Sequence, residues 1–203
     1  MYSGIKRMNS WQKLVKRLLD VIVSILGLLI LSPLIIYVAI RVHFSSTGPV
    51  VYSQERVGRK GKKFRIRKFR SMYVDAESAG PGLSGKNDKR ITPWCRTMRK
   101  WKLDELPQLW NVIVGEMSLV GPRPEREFYI RQLEEQQLPF HLLLEVKPGI
   151  TSLGMVKFGY AGSVSEMAER MKYDLLYLQN LSLALDAGIM MDTLRIVLTA
   201  KGR

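Results

Sequence analysis

Residues 21–40, VIVSILGLLILSPLIIYVAI, form a run of twenty residues without a single charge, set between two strongly basic stretches. Residues 1–20 hold five basic groups and one acid, for +4, and residues 41–70 hold ten basic groups and one acid, for +9. The whole chain carries +14, so the other 133 residues contribute only +1. An apolar run of about 20 residues matches the thickness of a bilayer core. It is a poor secretory signal, because the preceding basic region is long and Arg41-Val42-His43 follows where small residues would mark cleavage. Two topologies remain open, a single span and a hairpin. Basic loops stay on the cytoplasmic side, and here both flanks are basic. Ser32-Pro33 also interrupts the run, and a proline removes a backbone donor and kinks a helix. Ser32 is placed to bond a freed carbonyl. A hairpin that enters and leaves by one face satisfies both constraints.

The remainder has ordinary globular composition, 46% hydrophobic and 25% charged, which excludes a disordered chain. The single cysteine, Cys95, excludes an intrachain disulfide framework and a cysteine-based zinc cluster. The positive excess calls for an anionic partner: nucleic acid, anionic lipid or a phosphorylated substrate. After Gly48-Pro49, strand patterns at Val50-Val51-Tyr52 and at Phe64, Ile66 and Phe69 flank a turn at Gly58-Arg59-Lys60-Gly61 and predict a β-ribbon. Residues 75–90 read as a mobile loop. From Thr92 the pattern is helical: Leu103, Leu106, Trp110 and Ile113 mark one apolar face, and Ser163 with Glu166 fits a capping box ahead of Met167, Met171, Leu175 and Leu178. The expected fold is mainly α with a small β-ribbon (α+β). Residues 1–46 form a basic N-terminus and re-entrant membrane helix, and residues 47–203 a compact cytoplasmic domain with interfacial helices.

Four clusters could carry chemistry. Lys68 and Arg70 end the ribbon as candidate substrate-binding groups, or as a solvated face lying on anionic lipid. Asp104-Glu105 stand just before Pro107, where a helix is expected to begin. A helix cap would explain them without chemistry. Arg99 and Lys102 close by also suit a divalent metal together with a phosphate, and Mg²⁺ takes one or two carboxylates plus substrate phosphates. Pro122 and Pro124 hold Arg123 in a stiff turn, and a guanidinium is the preferred planar partner of phosphate. Lys147-Pro148-Gly149-Ile150-Thr151 is a further turn. His43 and His141 lie in no motif.

These clusters occur in an order that resembles the bacterial sugar transferases, the monotopic phosphoglycosyltransferases. The residues concerned are Asp20, Ser32-Pro33, Gly48-Pro49, Gln54-Glu55-Arg56-Val57-Gly58, Lys68-Phe69-Arg70-Ser71-Met72, the stretch Leu103-Asp104-Glu105-Leu106-Pro107-Gln108-Leu109-Trp110-Asn111-Val112, the stretch Gly115-Glu116-Met117-Ser118-Leu119-Val120-Gly121-Pro122-Arg123-Pro124, and the turn ending at Thr151. The resemblance covers almost the whole chain, and its length suggests a minimal member without the extra membrane helices of larger relatives. It implies transfer of a sugar phosphate from a UDP-sugar to polyprenol (undecaprenyl) phosphate at the cytoplasmic face of a bacterial inner membrane. UMP is released, and the product begins a surface glycan. It further implies Asp104 as nucleophile through an aspartyl-phosphosugar intermediate, Glu105 beside it near Mg²⁺, and Arg99, Lys68 and Arg123 at phosphate-handling positions. Ser32-Pro33 aligns with the break of a re-entrant helix, which favours the hairpin. Ser152 and Met155 depart from the residues many relatives carry, which puts sugar choice in question.

Two other readings fit parts of the sequence. A membrane-anchored basic module could bind without catalysis, but it leaves the paired acids and the stiff Arg123 turn unexplained. Nucleic acid is not expected as its partner, because aromatics interleave with the basic residues only at Phe64 and Phe69. A lipid-linked glycosyltransferase would release UDP instead of UMP.

Overall fold

The structure, a computed structural model, describes residues 5–77, 80, 82–83 and 88–199. Among them are eight α-helices, four short strands and three 3-10 turns. The architecture is mostly helical with little sheet, as expected. The loop expected over 75–90 falls partly outside the described residues; within them a turn spans 74–77.

Helix α1 (Ser10–Ile30) starts well before the uncharged run, because Asn9 and Gln12 cap it reciprocally through bonds of 2.8 and 3.1 Å. Its amphipathicity is inverted. The face packed against the protein carries Lys16, Arg17, Asp20 and Ser24, whereas Trp11, Leu14, Leu18, Ile22, Leu26 and Leu29 are exposed. Arg17 donates to the carbonyls of Val112 and Ile113 at 2.6 and 2.8 Å, and Asp20 accepts the Leu119 N–H at 3.0 Å. Helix α1 ends at Leu31, and α2 (Ser32–His43) leaves at a bend of 66° with Pro33 in its first turn. Pro33 has no N–H to offer the carbonyl four residues back, at Leu29; the Ser32 hydroxyl donates to that carbonyl instead, at 2.8 Å. No single described helix is long and apolar enough to cross a membrane; the bent α1–α2 pair together passes that test of length and composition. On its inner side α2 places Leu34, Ile35, Val38 and Val42 against Phe69, Ile91, Cys95 and Met98.

Strands β1 (Val51–Val57) and β2 (Lys63–Phe69) form the expected antiparallel ribbon around the 3-10 turn Arg59–Gly61, with Tyr52 opposite Lys68, Gln54 opposite Ile66 and Arg56 opposite Phe64. Side chains two apart share a strand face, and directly paired residues share it across the ribbon. One face therefore carries Phe64, Ile66 and Lys68 together with Tyr52, Gln54 and Arg56. Phe64 and Ile66 pack on Val112 and Met117, while Lys63, Arg65 and Arg67 point to solvent.

Helix α3 (Pro93–Lys100) is closed by Trp101 and followed by Lys102, whose φ of 53° lies in the left-handed region that a lysine seldom occupies. This reversal starts the 3-10 turn Leu103–Glu105, and α4 (Gln108–Val114) follows from Pro107. The acids thus lie one turn ahead of the α-helix, not in its first turn. The expected apolar face also divides. Leu103 and Leu106 pack inward, but Trp110 is 46% exposed and α4 instead buries Gln108, Asn111 and Val112. Strand β3 (Ser118–Val120) pairs in parallel with β4 (Gly149–Thr151), a pairing without an anticipating signal in the sequence. At its end a Cβ on Gly121 would stand 2.3 Å from the Lys147 carbonyl oxygen, so only glycine lets the two backbones meet.

Helices α5 (Glu127–Glu135), α6 (Leu153–Lys157), α7 (Val164–Gln179) and α8 (Leu183–Leu198), with the 3-10 turn Phe140–Glu145, enclose the main core. The α7 stripe Met167, Met171, Leu175 and Leu178 is buried in it. The Ser163 hydroxyl caps α7 by accepting from Glu166 N–H at 3.2 Å, while Glu166 reaches back to the N–H of Gly162 at 2.6 Å, one residue before the expected box partner.

Candidate active site

A cavity of about 430 Å³ opens where the ribbon, the α3–α4 connection and the turn after β3 converge. Lys68, Arg99, Asp104, Glu105 and Arg123, separated by up to 55 positions in sequence, all line it. Each arrives for a local reason. The parity of β2 turns Lys68 to the inner face with Ile66. The left-handed Lys102 reverses the chain so that both acids are buried. The meeting of Gly121 with Gly149 sets the turn that bears Arg123. Asn111 ties these parts together: its amide accepts from Arg67 N–H at 3.1 Å and donates to the Arg65 carbonyl at 2.8 Å and Glu116 at 2.6 Å. Strand β2, and with it Lys68, is thereby fixed against α4 and the acid turn.

The two neighbouring carboxylates meet different surroundings. Lys68 Nζ lies 2.8 Å and Arg123 Nη2 3.5 Å from the same oxygen of Glu105, Oε1. Both ion pairs go to Glu105; none among the described residues goes to Asp104. Burial opposes ionisation of Glu105, but Lys68, Arg123 and Lys102 outweigh it and hold its carboxyl far below the usual range. Burial, followed by the charge of Glu105, raises the Asp104 pKa above its ordinary 3.8, against the pull of Lys68 and Arg99. Burial also lowers the ammonium pKa of Lys68 and of Lys102, in spite of the adjacent acids. Arg123 moves the other way: burial is outweighed by Glu105 and its pKa is raised. The cations of Arg123 and Lys102 stand 5.2 and 5.6 Å from the ring centre of Tyr160, a geometry for cation–π attraction.

Arg70 departs from the expected role. It borders the cavity, but its guanidinium donates to Ser46 Oγ at 3.1 Å, to the Val42 carbonyl at 3.2 Å, and to the carbonyls of Ser46 and Pro49. It anchors the chain leaving α2, and those bonds engage the donors a phosphate would need. Ser152 and Met155 also stand apart: Ser152 caps α6 by accepting from Met155 N–H at 3.0 Å, Met155 is buried, and neither lines the cavity. Tyr160, Arg126 and Tyr129 line it without having been singled out by sequence. Only the Arg126 position, three residues beyond Arg123, carried a usable signal.

As a metal site the donor set is small. No group of three or more His, Cys, Asp or Glu side chains able to hold an ion occurs among the described residues. Asp104 and Glu105 provide two adjacent carboxylates, and Asp104 has no ion pair among the described residues. That set fits Mg²⁺, which completes its shell with substrate phosphates and water.

The family model described as bacterial sugar transferase matches residues 11–200. An N-acetylgalactosaminephosphotransferase from Aeromonas hydrophila, named as acting between UDP-N-acetylgalactosamine and undecaprenyl phosphate, is 37% identical over 93% of this chain and 44% of its own length. A UDP-glucose:undecaprenyl-phosphate glucose-1-phosphate transferase from Klebsiella pneumoniae is 39% identical over 92% of this chain and 40% of its own. A protein of the same description from Xanthomonas campestris pv. campestris is 40% identical over 97% of this chain and 40% of its own. This chain therefore spans less than half the length of these relatives. By the reach of the family model and these identities, the chain belongs to the bacterial sugar transferase family.

Proposed function

We propose that this chain transfers a sugar phosphate from a UDP-sugar to polyprenol phosphate at a membrane surface, through a covalent intermediate on Asp104, as the first membrane step of a surface glycan. The observation that carries this reading is the division of labour between the two acids. Glu105 is neutralised by Lys68 and Arg123, which leaves Asp104 as the carboxylate open to attack an electrophile in a cavity walled by cations. An Asp104 oxygen attacks the sugar-bearing phosphorus, and the bond from that phosphorus to the bridging oxygen breaks. UMP departs with that oxygen. An oxygen of the acceptor phosphate then attacks the same phosphorus and restores the Asp104 carboxylate. Lys68, Arg99 and Arg123 spread the charge on the transferred group. Asp104 and Glu105 would hold Mg²⁺, which supplies charge neutralisation of the diphosphate.

The membrane reading rests on the inverted amphipathicity of α1. Burying a Leu, Ile or Phe-sized side chain is worth about 1.5–3 kcal/mol, and a row of them facing water marks a surface made for an apolar medium. Trp110 and Val114 on α4, which packs against α1, extend the exposed apolar surface. Exposed Lys13 and Arg41 flank it, suited to anionic lipid. Lys16 and Arg17 bind the catalytic part directly while α2 returns into its core, so both flanks of the apolar run pack on the same body. That supports the re-entrant hairpin on a cytoplasmic face.

The test uses donor without acceptor. Incubation with UDP-sugars and Mg²⁺ should release up to one equivalent of UMP and add a sugar-phosphate mass to the peptide bearing Asp104, and Asp104→Asn should abolish both signals. Release of UDP, or no release until polyprenol phosphate is added, would overturn the nucleophile.

A further inference from the structure

The cavity contains a second polar set beside the acids. Tyr129, in the first turn of α5, is 5% exposed and lines the cavity, and its hydroxyl has no hydrogen-bond partner among the described residues. Buried tyrosine hydroxyls ordinarily find one, so this covered hydroxyl is an unmet polar group at the cavity wall. Around it the ribbon face and the loop after β2 hold a continuous polar chain. Glu125, ion-paired to Arg170, fixes Arg56 at 3.3 Å. Arg56 donates to the Gln54 side-chain oxygen Oε1 at 2.6 Å, which aims the Gln54 side-chain nitrogen Nε2 toward Glu77 at 3.4 Å, and Arg126 pairs with Glu77 at 2.8 Å. The chain is buried at its Arg170 end. At the other end the Glu77 and Arg126 side chains are 34% and 21% exposed, where a ligand can reach them.

Its place is set by the ribbon. Lys68, which holds Glu105, stands directly opposite Tyr52, and Gln54 is one same-face step further, roughly 6.6–6.8 Å along the strand. Arg126 follows Arg123 by three residues. A group attached to a phosphate held by Lys68 and Arg123 would therefore meet Gln54, Glu77 and Arg126 first. At the exposed end Glu77 and Arg126 neutralise each other, so that end does not call for another phosphate. An ionised carboxylate only accepts hydrogen bonds, which suits hydroxyls of a sugar ring. A uracil, with a single N–H, offers the Glu77 carboxylate only one donor where a sugar ring offers several hydroxyls.

The geometry points to Glu77, Arg126 and the Tyr129 hydroxyl as the subsite that reads the hydroxyl pattern of the donor's sugar ring, and so selects the sugar. This rests on the donor being a nucleotide sugar, as proposed above.

The experiment uses the full chain in membranes with polyprenol phosphate, Mg²⁺ and four donors: UDP-glucose, UDP-galactose and their N-acetylamino counterparts. Tyr129→Phe removes one oxygen that bonds to nothing described, and Glu77→Gln keeps shape, so both should fold. Each should lower kcat/KM for the preferred donor by about 10- to 100-fold and change the order of preference, while inhibition by UMP stays within about twofold. A uniform loss across donors with weakened UMP inhibition would assign the set to the base and overturn the proposal. Unchanged kcat/KM in both variants would overturn it as well. Inactivity of the unsubstituted protein with every donor would overturn the proposed function together with this inference; an active parent with unshifted variants overturns the inference alone.

Discussion

Glu105 carries an electrostatic load that sequence reasoning assigns equally to its neighbour. Two partly buried cations share its buried Oε1, so removing its charge strands both. Breaking a buried pair of this kind costs about 3–5 kcal/mol. Glu105→Gln in metal-free protein is thus expected to lower thermal stability as well as activity. Its folded pKa lies below the ordinary 4.5, so its contribution is complete above about pH 4.5 and declines as pH falls through the folded value. Melting curves of parent and variant should differ most near neutrality and converge toward acid; a gap that is equal at all pH values would contradict the placement of the charges. The adjacency of the acids was legible in sequence. Which of them the cations take was not, because Lys68 and Arg123 come from distant segments.

At the scale of elements, strand β3 is where α1 meets the site. Lys16 of α1 donates to the Val120 carbonyl at 3.0 Å and to Asp186 of α8 at 2.6 Å, and Tyr177 of α7 donates to the same aspartate at 2.7 Å. Three residues after Val120 comes Arg123. Lys16→Met should lower stability by about 1.5–3 kcal/mol, the worth of a hydrogen bond to a charged group, and should reduce kcat/KM by displacing the Arg123 turn. Lys16→Arg should recover most of both. Full activity of Lys16→Met in donor-saturated assays would show that the clamp does not reach the site. Element boundaries in the ribbon and in α7 follow the sequence closely, since period-2 and period-3.6 patterns are local. Helix α4 does not: Asn111 is buried in polar contacts with β2, Gln108 is buried with its amide nitrogen unpartnered among the described residues, and Trp110 is exposed, because α4 packs on β2 and α1 and leaves its remaining side uncovered.

For the whole molecule the decisive expectation is topological. With Cys95 buried, cysteines introduced at exposed Lys13 and Lys62 can be labelled separately in sealed cells. Both should resist an impermeant reagent outside and react after permeabilisation, placing the two flanks on the cytoplasmic side. Labelling of Lys13→Cys from outside would establish a span. In the same assay Pro33→Ala restores an N–H for the Leu29 carbonyl and removes the cause of the 66° bend, so a fraction of the chains should convert to spanning form.

What the sequence by itself determined is everything that depends on neighbours along the chain: the uncharged run and its basic flanks, the break at Ser32-Pro33, the ribbon, the buried stripe of α7, and the acid pair beside its basic residues. The tertiary structure alone decided that α1 turns its charges inward, that Arg70 anchors α2, that Glu105 and not Asp104 is neutralised, and that Tyr129 joins Glu77 and Arg126 on one wall. These depend on which side chains meet across long separations, where burial amplifies charge and fixes the partner, and no local pattern encodes such meetings.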